Sequence, residues 1–235
     1  MKYRLKIPFY LAWQYINRGR KWTLILTIFL LSAAFVNLLF ISSLFGGVVS
    51  GADQKIRDTT TGDIYITPKQ GEETIDDVAS ILSKLNKIDG VKATSSNTLV
   101  PGALTYDSIT GQGSVYAIEP SDDKSVRTLY SSISPGNWLE DDDADGIILG
   151  RQIAGGDNVE DNAFSFKGAE IGDKITLTIG QISKEFTVRG ILYTKYIVTD
   201  QVSYITQTGL TSMVGDYDDK TSSILVKLDD NAEVD

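Results

Sequence analysis

The sequence predicts an α+β protein in which one N-terminal transmembrane helix precedes a domain of mixed helices and strands. Two observations lead to this fold class. Residues 23–49 contain no charged side chain, whereas the following residues form short segments of helical or strand periodicity. Along the chain, the first segments have strand and helix patterns, and the next are β-prone runs separated by Gly, Asp and Ser. The last segments again have both strand and helix patterns. We therefore expect an α/β lobe with a mostly β lobe inserted into it.

Residues 23–49 are the predicted transmembrane helix. An uncharged segment of 27 residues would be about 40 Å long as an α-helix, which exceeds the ~30 Å hydrocarbon layer of a bilayer. A cleaved signal peptide is the alternative, but its apolar core is only about 7–15 residues long. Ser50-Gly51-Ala52 is also a weak cleavage site. The length of the segment therefore favours a retained anchor in the cell (inner) membrane, with the lipid bilayer as a partner.

The distribution of charge predicts the orientation. Residues 1–22 hold six basic and no acidic side chains, whereas the rest of the chain has a net charge of −15. Basic residues beside a span stay preferentially on the cytoplasmic side. We therefore expect a cytoplasmic N-terminus and an extracytoplasmic main domain. The acidic character of that domain argues against nucleic acid as a partner.

Residues 1–22 are predicted to form a cytoplasmic, interfacial amphipathic helix. Pro8 suits a first helical turn. Apolar side chains recur on one face of this helix: Phe9, Ala12, Trp13 and Ile16. The alternative is a disordered basic tail.

The main domain divides by its sequence patterns into three segments. Residues 50–100 are predicted to be the first part of the α/β lobe: polar residues end the span, a strand follows at 62–68, a helix runs from Thr74 to Gly90, and a strand follows at 91–99. Residues 101–191 are predicted to be the inserted β-rich lobe, with a hairpin at 174–188 that turns at Gly180-Gln181. Residues 192–235 are predicted to return to the α/β lobe. Their patterns suggest an extended segment at 196–205, a helix at 208–214 and a strand at 223–228.

The amino-acid composition excludes several kinds of active site from this chain. The chain has no Cys and no His, so it lacks disulfides, the commonest general base and the commonest zinc ligand. A hydrolase would have to use a Ser/Lys nucleophile or paired carboxylates, and no Gly-x-Ser-x-Gly motif occurs. We therefore expect no enzymatic activity, no catalytic residue and no cofactor.

An acidic segment at Asp141–Gly146 resembles the beginning of a calcium-binding loop. The twelfth position of such a loop would be Gln152, which cannot supply a bidentate carboxylate, and the residues after Gly146 have a strand pattern. The alternative is a solvated acidic turn, and we expect no metal site.

Several short motifs, in their order and spacing, resemble the permease subunits of MacB-type and FtsX-type ABC transporters, including the lipoprotein-releasing permeases. The resemblance covers the whole chain. The motifs are Asn17–Lys21, Gly62–Ile66, Asp89–Val91, Tyr116–Pro120, Gly136–Leu139, Gly146–Ala154, Ile171–Leu177 and Phe186–Ile191.

The resemblance implies a MacB-like periplasmic core domain, with a porter-like α/β lobe, between the first and second of four transmembrane helices. Because no second span follows here, we expect the chain to be the N-terminal part of a permease. The implied partners are a cytoplasmic ABC ATPase subunit, a second permease copy or paralogue in a dimer, and an extracytoplasmic protein. The implied function is export, lipoprotein release or mechanotransmission, driven by ATP hydrolysis in the partner, since no phosphate-binding loop occurs in this sequence.

The first span and its two ends would transmit this motion. The residues expected to do so are Arg18, Trp22, Gly46, Gly47 and Lys55. The alternative for the two glycines is ordinary packing between transmembrane helices. The alternative for the whole protein is a single-pass, membrane-anchored sensor or adhesion module, which would have the same span and orientation.

Overall fold

The structure is a computed structural model that describes residues 6–18, 21–156, 159, 164–215 and 219–229. The chain divides after Asp53 into two compact units. The first unit contains helix α1, Lys6–Arg18, and most of helix α2, Lys21–Ile56. Helix α1 lies within the segment predicted to be an amphipathic helix, and the side chains of Phe9 and Ile16 lie outside the described residues.

Helix α2 has 36 residues, none of them buried, and is long and apolar enough to cross a membrane. It continues past the apolar segment to Ile56, and a π-helical turn follows at Arg57–Thr61. The polar residues from Ser50 end the apolar segment without ending the helix, because Ala52, Gln54 and Lys55 have high helix propensity. The last residues of α2, from Gln54 onward, belong to the second unit.

The second unit is built on one sheet of eleven strands within the described residues. The strands are β1 (Ile64–Ile66), β2 (Val91–Val100), β3 (Ala103–Tyr106), β4 (Ile109–Gln112), β5 (Ser114–Ile118), β6 (Ile133–Gly136), β7 (Gly146–Gly150), β8 (Lys174–Ile179), β9 (Ile182–Leu192), β10 (Val202–Thr206) and β11 (Ser223–Leu228). The helices are α3 (Val78–Leu85), α4 (Pro120–Val126), α5 (Arg151–Ala154), α6 (Ile197–Asp200) and α7 (Gln207–Val214), with a 3-10 turn at Leu129–Ser132.

The strand order is β1-β11-β2-β5-β10-β7-β9-β8-β3-β4, and β6 pairs with β9. The pairs β5·β10 and β7·β9 are parallel, and the other strand pairs are antiparallel. Strand β10, from the segment 192–235, lies between β5 and β7 of the segment 101–191. The two predicted lobes therefore share a continuous sheet, and their boundaries stay predictions.

The sheet curls around its main core. Leu104 of β3 and Val115 of β5 belong to one buried cluster although four strands separate β3 from β5 in the sheet order. That cluster also holds Phe186 and the inward side chains of β7, β8 and β10. A second cluster covers the opposite face of the sheet, where Ile148 and Tyr204 pack with Leu129. The central strands are thus buried on both faces, which explains why all five residues of β7 are buried.

Most predicted elements are confirmed, with two differences. Strand β11 and the hairpin of β8 and β9 lie where the sequence predicted them. The helix predicted from Thr74 begins only at Val78, because Ile75 instead exchanges backbone hydrogen bonds with Thr221 at 2.8 and 3.0 Å. The segment predicted to be extended at 196–205 contains the short helix α6 before β10.

Candidate coupling site at the end of the membrane helix

The segment 57–62 joins helix α2 to the sheet. Its turn is π-helical because the Gly62 amide donates to the Arg57 carbonyl, five residues back, at 2.9 Å. The Thr59 side chain is fully buried, and its hydroxyl donates to the Lys55 carbonyl at 2.7 Å. Gly62 has a φ of +68°, and a Cβ there would lie 2.8 Å from the Val226 carbonyl oxygen. Only glycine fits this end of the turn.

The end of helix α4 fixes the carbonyl groups of this turn. The Thr128 amide and hydroxyl donate to the Asp58 carbonyl at 2.8 and 3.2 Å. The Arg127 guanidinium donates to the Thr60 carbonyl at 3.4 Å. The hydroxyls of Thr60 and Thr199 lie 3.1 Å apart. The turn is therefore bound to two separate parts of the domain.

Arg127 is held by a buried ion pair with Asp123, one helical turn earlier. Its Nε donates to Asp123 Oδ1 at 2.8 Å, and Nη2 donates to Asn97 Oδ1 at 3.2 Å. The side chains of Arg127 and Asp123 are only 2% and 1% exposed, respectively. Burial raises the pKa of the Asp123 carboxyl, and the Arg127 guanidinium opposes that rise. Burial likewise raises the pKa of Tyr204, whose ring lies 5.6 Å from Arg127 Cζ, to about 12.

Lys227 of β11 lies between two carboxylates at either end of the turn. Its Nζ is 3.8 Å from Asp58 Oδ1 and 3.3 Å from Asp63 Oδ2. Asp63 Oδ2 also accepts a hydrogen bond from the Leu228 amide at 3.0 Å. Sheet strand β11 thus binds both the helix end and the residues that lead into β1.

Asp200 is a buried acidic residue at the end of helix α6. It is 1% exposed, and its Oδ1 accepts from the Thr194 amide and hydroxyl at 2.7 and 2.8 Å. Burial raises the pKa of Asp200, while the hydrogen bonds from Thr194 and the charge of Lys55 oppose the rise. Lys55, one of the residues expected to transmit motion, is thus close enough for its charge to influence the pKa of Asp200.

Asp200→Asn should become more stabilising, relative to the wild type, as the pH rises from 3 to 7. Because the pKa of Asp200 is raised above 3.8 in the folded state, the unfolded chain loses this proton first, and the wild type loses stability as the pH rises through that window. Asparagine keeps the accepting Oδ1 and does not ionise. Denaturant unfolding of both chains at pH 3 and pH 7 measures the difference. If the stability of Asp200→Asn relative to the wild type instead fell as the pH rose, the raised pKa of Asp200 would be contradicted.

The other residues expected to transmit motion belong to the first unit. Arg18 is the last residue of α1, and Trp22 is exposed on α2. A Cβ on Gly46 or Gly47 would meet nothing within 4 Å. Sequence analysis missed Asp123 and Arg127, although their i,i+4 spacing after Pro120 was a signal for a helical ion pair.

The acidic segment Asp141–Gly146 is used for contacts within the domain. Asp143 accepts from Arg189 Nε and Nη2 at 2.8 and 3.2 Å, and Asp145 Oδ1 lies 2.9 Å from Lys184 Nζ. Asp141 Oδ1 accepts from the Ser121 amide at 2.8 Å. The residues after Gly146 form β7, as predicted. The carboxylates of Asp141, Asp143 and Asp145 thus have protein partners.

Among the described residues, a Ser/Lys contact links strand β9 to helix α7. Lys184 Nζ lies 2.6 Å from Ser212 Oγ. Lys184 also hydrogen-bonds to Asp145 and lowers the pKa of that carboxyl. A second pair, Ser121 and Lys124, has Ser-x-x-Lys spacing and is exposed on α4.

Comparison with known proteins decides the family. The family model described as the MacB-like periplasmic core domain matches residues 24–235. The chain belongs to this family. The resemblance drawn from the sequence motifs is therefore confirmed. Because a MacB-like periplasmic domain follows one apolar helix, the protein is membrane-anchored and has an extracytoplasmic domain.

Two solved structures share the MacB-like fold. The extracellular domain of the noncanonic ABC-type transporter YknZ from Gram-positive bacteria matches with a TM-score of 0.50 and 15% identity, over 71% of this chain and 82% of that one. The periplasmic region of MacB from Actinobacillus actinomycetemcomitans matches with a TM-score of 0.50 and 14% identity, over 72% and 75%. The comparison with curated proteins found no match. These similarities confirm the predicted α+β fold class.

Proposed function

We propose that this chain belongs to a permease subunit of a MacB/FtsX-type ABC transporter. A separate cytoplasmic ATPase would hydrolyse ATP, and helix α2 would transmit the resulting motion to the extracytoplasmic domain for export, lipoprotein release or mechanotransmission. The observation that supports this function best is the coupling site. Helix α2 leads through one π-helical turn into residues that Arg127, Thr128 and Lys227 bind directly.

Force passes along a chain only where no flexible segment absorbs it. Here the residues from Arg57 to Asp63 are attached to the domain. Their carbonyl groups accept hydrogen bonds from the residues that follow α4, a hydroxyl contacts α6, and two carboxylates contact β11. A sensor or adhesion module tethered to a membrane needs no such attachment. The coupling site therefore favours the permease over the single-pass module.

The remaining parts of the proposal concern orientation, assembly and chemistry. The six basic side chains before the span favour a cytoplasmic N-terminus. We infer a dimer with a second permease copy or paralogue, because two ATPase subunits close on each other when they bind ATP. We also infer that this chain is not itself an enzyme and needs no cofactor.

Purification of the tagged protein from its own membranes in mild detergent should recover a nucleotide-binding subunit in stoichiometric amount, with ATPase activity in the eluate. The double variant Asp123→Leu with Arg127→Met is the matched variant: it removes the Arg127 donor of the coupling site without leaving a buried charge unpaired, and it should retain the ATPase. An unrelated single-pass membrane protein with the same tag is the control. Recovery of the chain without any nucleotide-binding subunit would contradict the permease and leave the sensor or adhesion module.

A further inference from the structure

Strand β4 lies at one end of the sheet and has a free edge. Among the described strands, it pairs with β3 alone. Its sequence, Ile109–Gln112, contains no charged residue and no proline, which commonly prevent an edge strand from pairing with another chain. Strand β1, at the other end of the sheet, is followed closely by Pro68. The two ends of the sheet are therefore not equivalent, and β4 is the one suited to further pairing.

The core holds β4 in place. Ile109 packs against the main buried cluster, and the Phe164 ring packs against Gly111. Thr110 and Gln112, which alternate with these residues, are exposed. A peptide that pairs with β4 would therefore meet an edge that is already formed, which lowers the entropic cost of binding.

The main-chain groups of Thr110 and Gln112 point away from β3. Ile109 is the first residue after the two-residue turn that joins β3 to β4. The residues beside such a turn exchange two hydrogen bonds, and the direction of the main-chain groups alternates along the strand. Ile109 and Gly111 therefore bind β3, whereas Thr110 and Gln112 offer their N–H and C=O groups to a further strand.

The position beside β4 continues the line of strand β10. Strand β4 leads into β5 through Gly113 alone, and β5 pairs with β10 from Ser114 onward. Because the chain before Val202 forms helix α6, β10 does not extend alongside β4. An added strand would therefore continue, past the end of β10, the pairing that β5 already has.

A cavity of about 250 Å³ lies at the end of this free edge. The side chains of Gln112 and Gln201 line it together with those of Ile153 and Phe164, and none of its described lining residues is charged. An amide side chain can both donate and accept hydrogen bonds. A charged group would be buried here without a partner, which is costly, so the cavity suits an uncharged side chain.

We propose that the outer edge of β4 binds an extended peptide segment of a partner polypeptide, which joins the sheet as a further strand and places an uncharged side chain in the cavity. Main-chain hydrogen bonds with Thr110 and Gln112 supply affinity, and the cavity supplies specificity. The site belongs to the extracytoplasmic domain alone and does not rest on the proposed permease function.

A generic peptide tests the site in the full chain, reconstituted in lipid nanodiscs. The probe is a fluorescein-labelled, amidated hexapeptide of alternating valine and threonine, because recognition of the main chain tolerates many sequences. Its fluorescence anisotropy should rise saturably with the chain and stay constant with empty nanodiscs. The same peptide with N-methylated amides cannot donate and should not bind. Equal binding of the two peptides, or no saturable binding of the first, would overturn the site.

Variants at the edge sharpen this test. Gln112→Pro removes one outward N–H and keeps the pairing with β3, since proline is tolerated on edge strands. It should weaken binding of the probe by about tenfold, because a carbonyl group of the peptide loses its donor. Gln112→Ala keeps the N–H and is the matched control. Thr110→Lys adds a charge to the edge without changing the backbone and should also weaken binding. Equal affinities of Gln112→Pro and Gln112→Ala would contradict strand addition.

Hydrogen exchange of single amides gives the second test. In the free chain, the amides of Thr110 and Gln112 should exchange faster than those of Ile109 and Gly111, and the probe should slow them. Equal protection of all four amides in the free chain would show that the edge is already covered and would overturn the site.

A carbohydrate is the other uncharged ligand to test. Cellohexaose has no amide groups and should not displace the peptide probe, whereas displacement would replace strand addition by a sugar site. None of these measurements requires an ATPase, so the peptide site can fail while the co-purification succeeds, and the reverse.

Discussion

Arg127→Met should lower the free energy of unfolding by about 3–5 kcal/mol, because it leaves the Asp123 carboxylate buried without its counter-charge. Methionine replaces the length of the side chain but none of its hydrogen bonds. The change also removes the donor to the Thr60 carbonyl, so the helix end loses one attachment. Denaturant unfolding of the detergent-solubilised chain, followed by the fluorescence of Trp138, measures the effect. Trp138 reports on this region because its ring lies 6.1 Å from that of Tyr204.

The double variant Asp123→Leu with Arg127→Met is the matched control. Replacement of both members of a buried ion pair by apolar residues is often neutral or stabilising. The double variant should therefore recover most of the stability that Arg127→Met loses. A loss below about 1 kcal/mol for the single variant would show that water screens the pair, as in exposed ion pairs.

Phe186→Ala should also lower the free energy of unfolding by about 3–5 kcal/mol. Phe186 is fully buried in the cluster that the curled sheet encloses, and its ring lies beside Gly209 of α7, where a Cβ would be 3.2 Å away. Alanine would leave a cavity that neither the strands nor α7 can close. Trp138 fluorescence reports on the opposite face of the sheet, since Trp138 packs against the second cluster.

Both faces should lose stability together, because strands such as β7 contribute side chains to each cluster. Far-UV circular dichroism and Trp138 fluorescence should therefore give the same, lowered midpoint. Ile182→Ala, an exposed position on the same strand, is the control and should change stability by less than about 1 kcal/mol. Two separate transitions in Phe186→Ala would contradict a single cooperative domain.

The elements that the sequence predicted well are those whose signal is local. The alternation of Ile175, Leu177 and Ile179 defined a strand before any tertiary contact was known, and Ser223–Leu228 was correct at both ends. Elements that depend on distant partners were placed less well. The first turn of the predicted helix at Thr74 is replaced by a bridge to Thr221, a residue far along the chain. Local propensity is small compared with the pairing of a strand edge.

At the coupling site, too, the sequence predicted the residue with a local signal and missed those that depend on distant partners. Lys55 was expected to transmit motion because it stands at the end of the span. Arg127 and Lys227 were not expected, because their sequence neighbourhoods hold other charged residues and nothing local indicates which of these charges contacts the helix end. Only the fold brings Arg127 to the Thr60 carbonyl and Lys227 to Asp58.

The sequence by itself determined the membrane helix, the family and the α+β class, because hydropathy, charge asymmetry and motif order are properties of the chain read in one dimension. Only the tertiary structure decided the strand order, the curl of the sheet and the π-helical turn at Arg57–Thr61. These features arise from pairings between residues far apart in sequence, such as β10 between β5 and β7. Their free energy comes from burial and hydrogen bonding that no single segment contains.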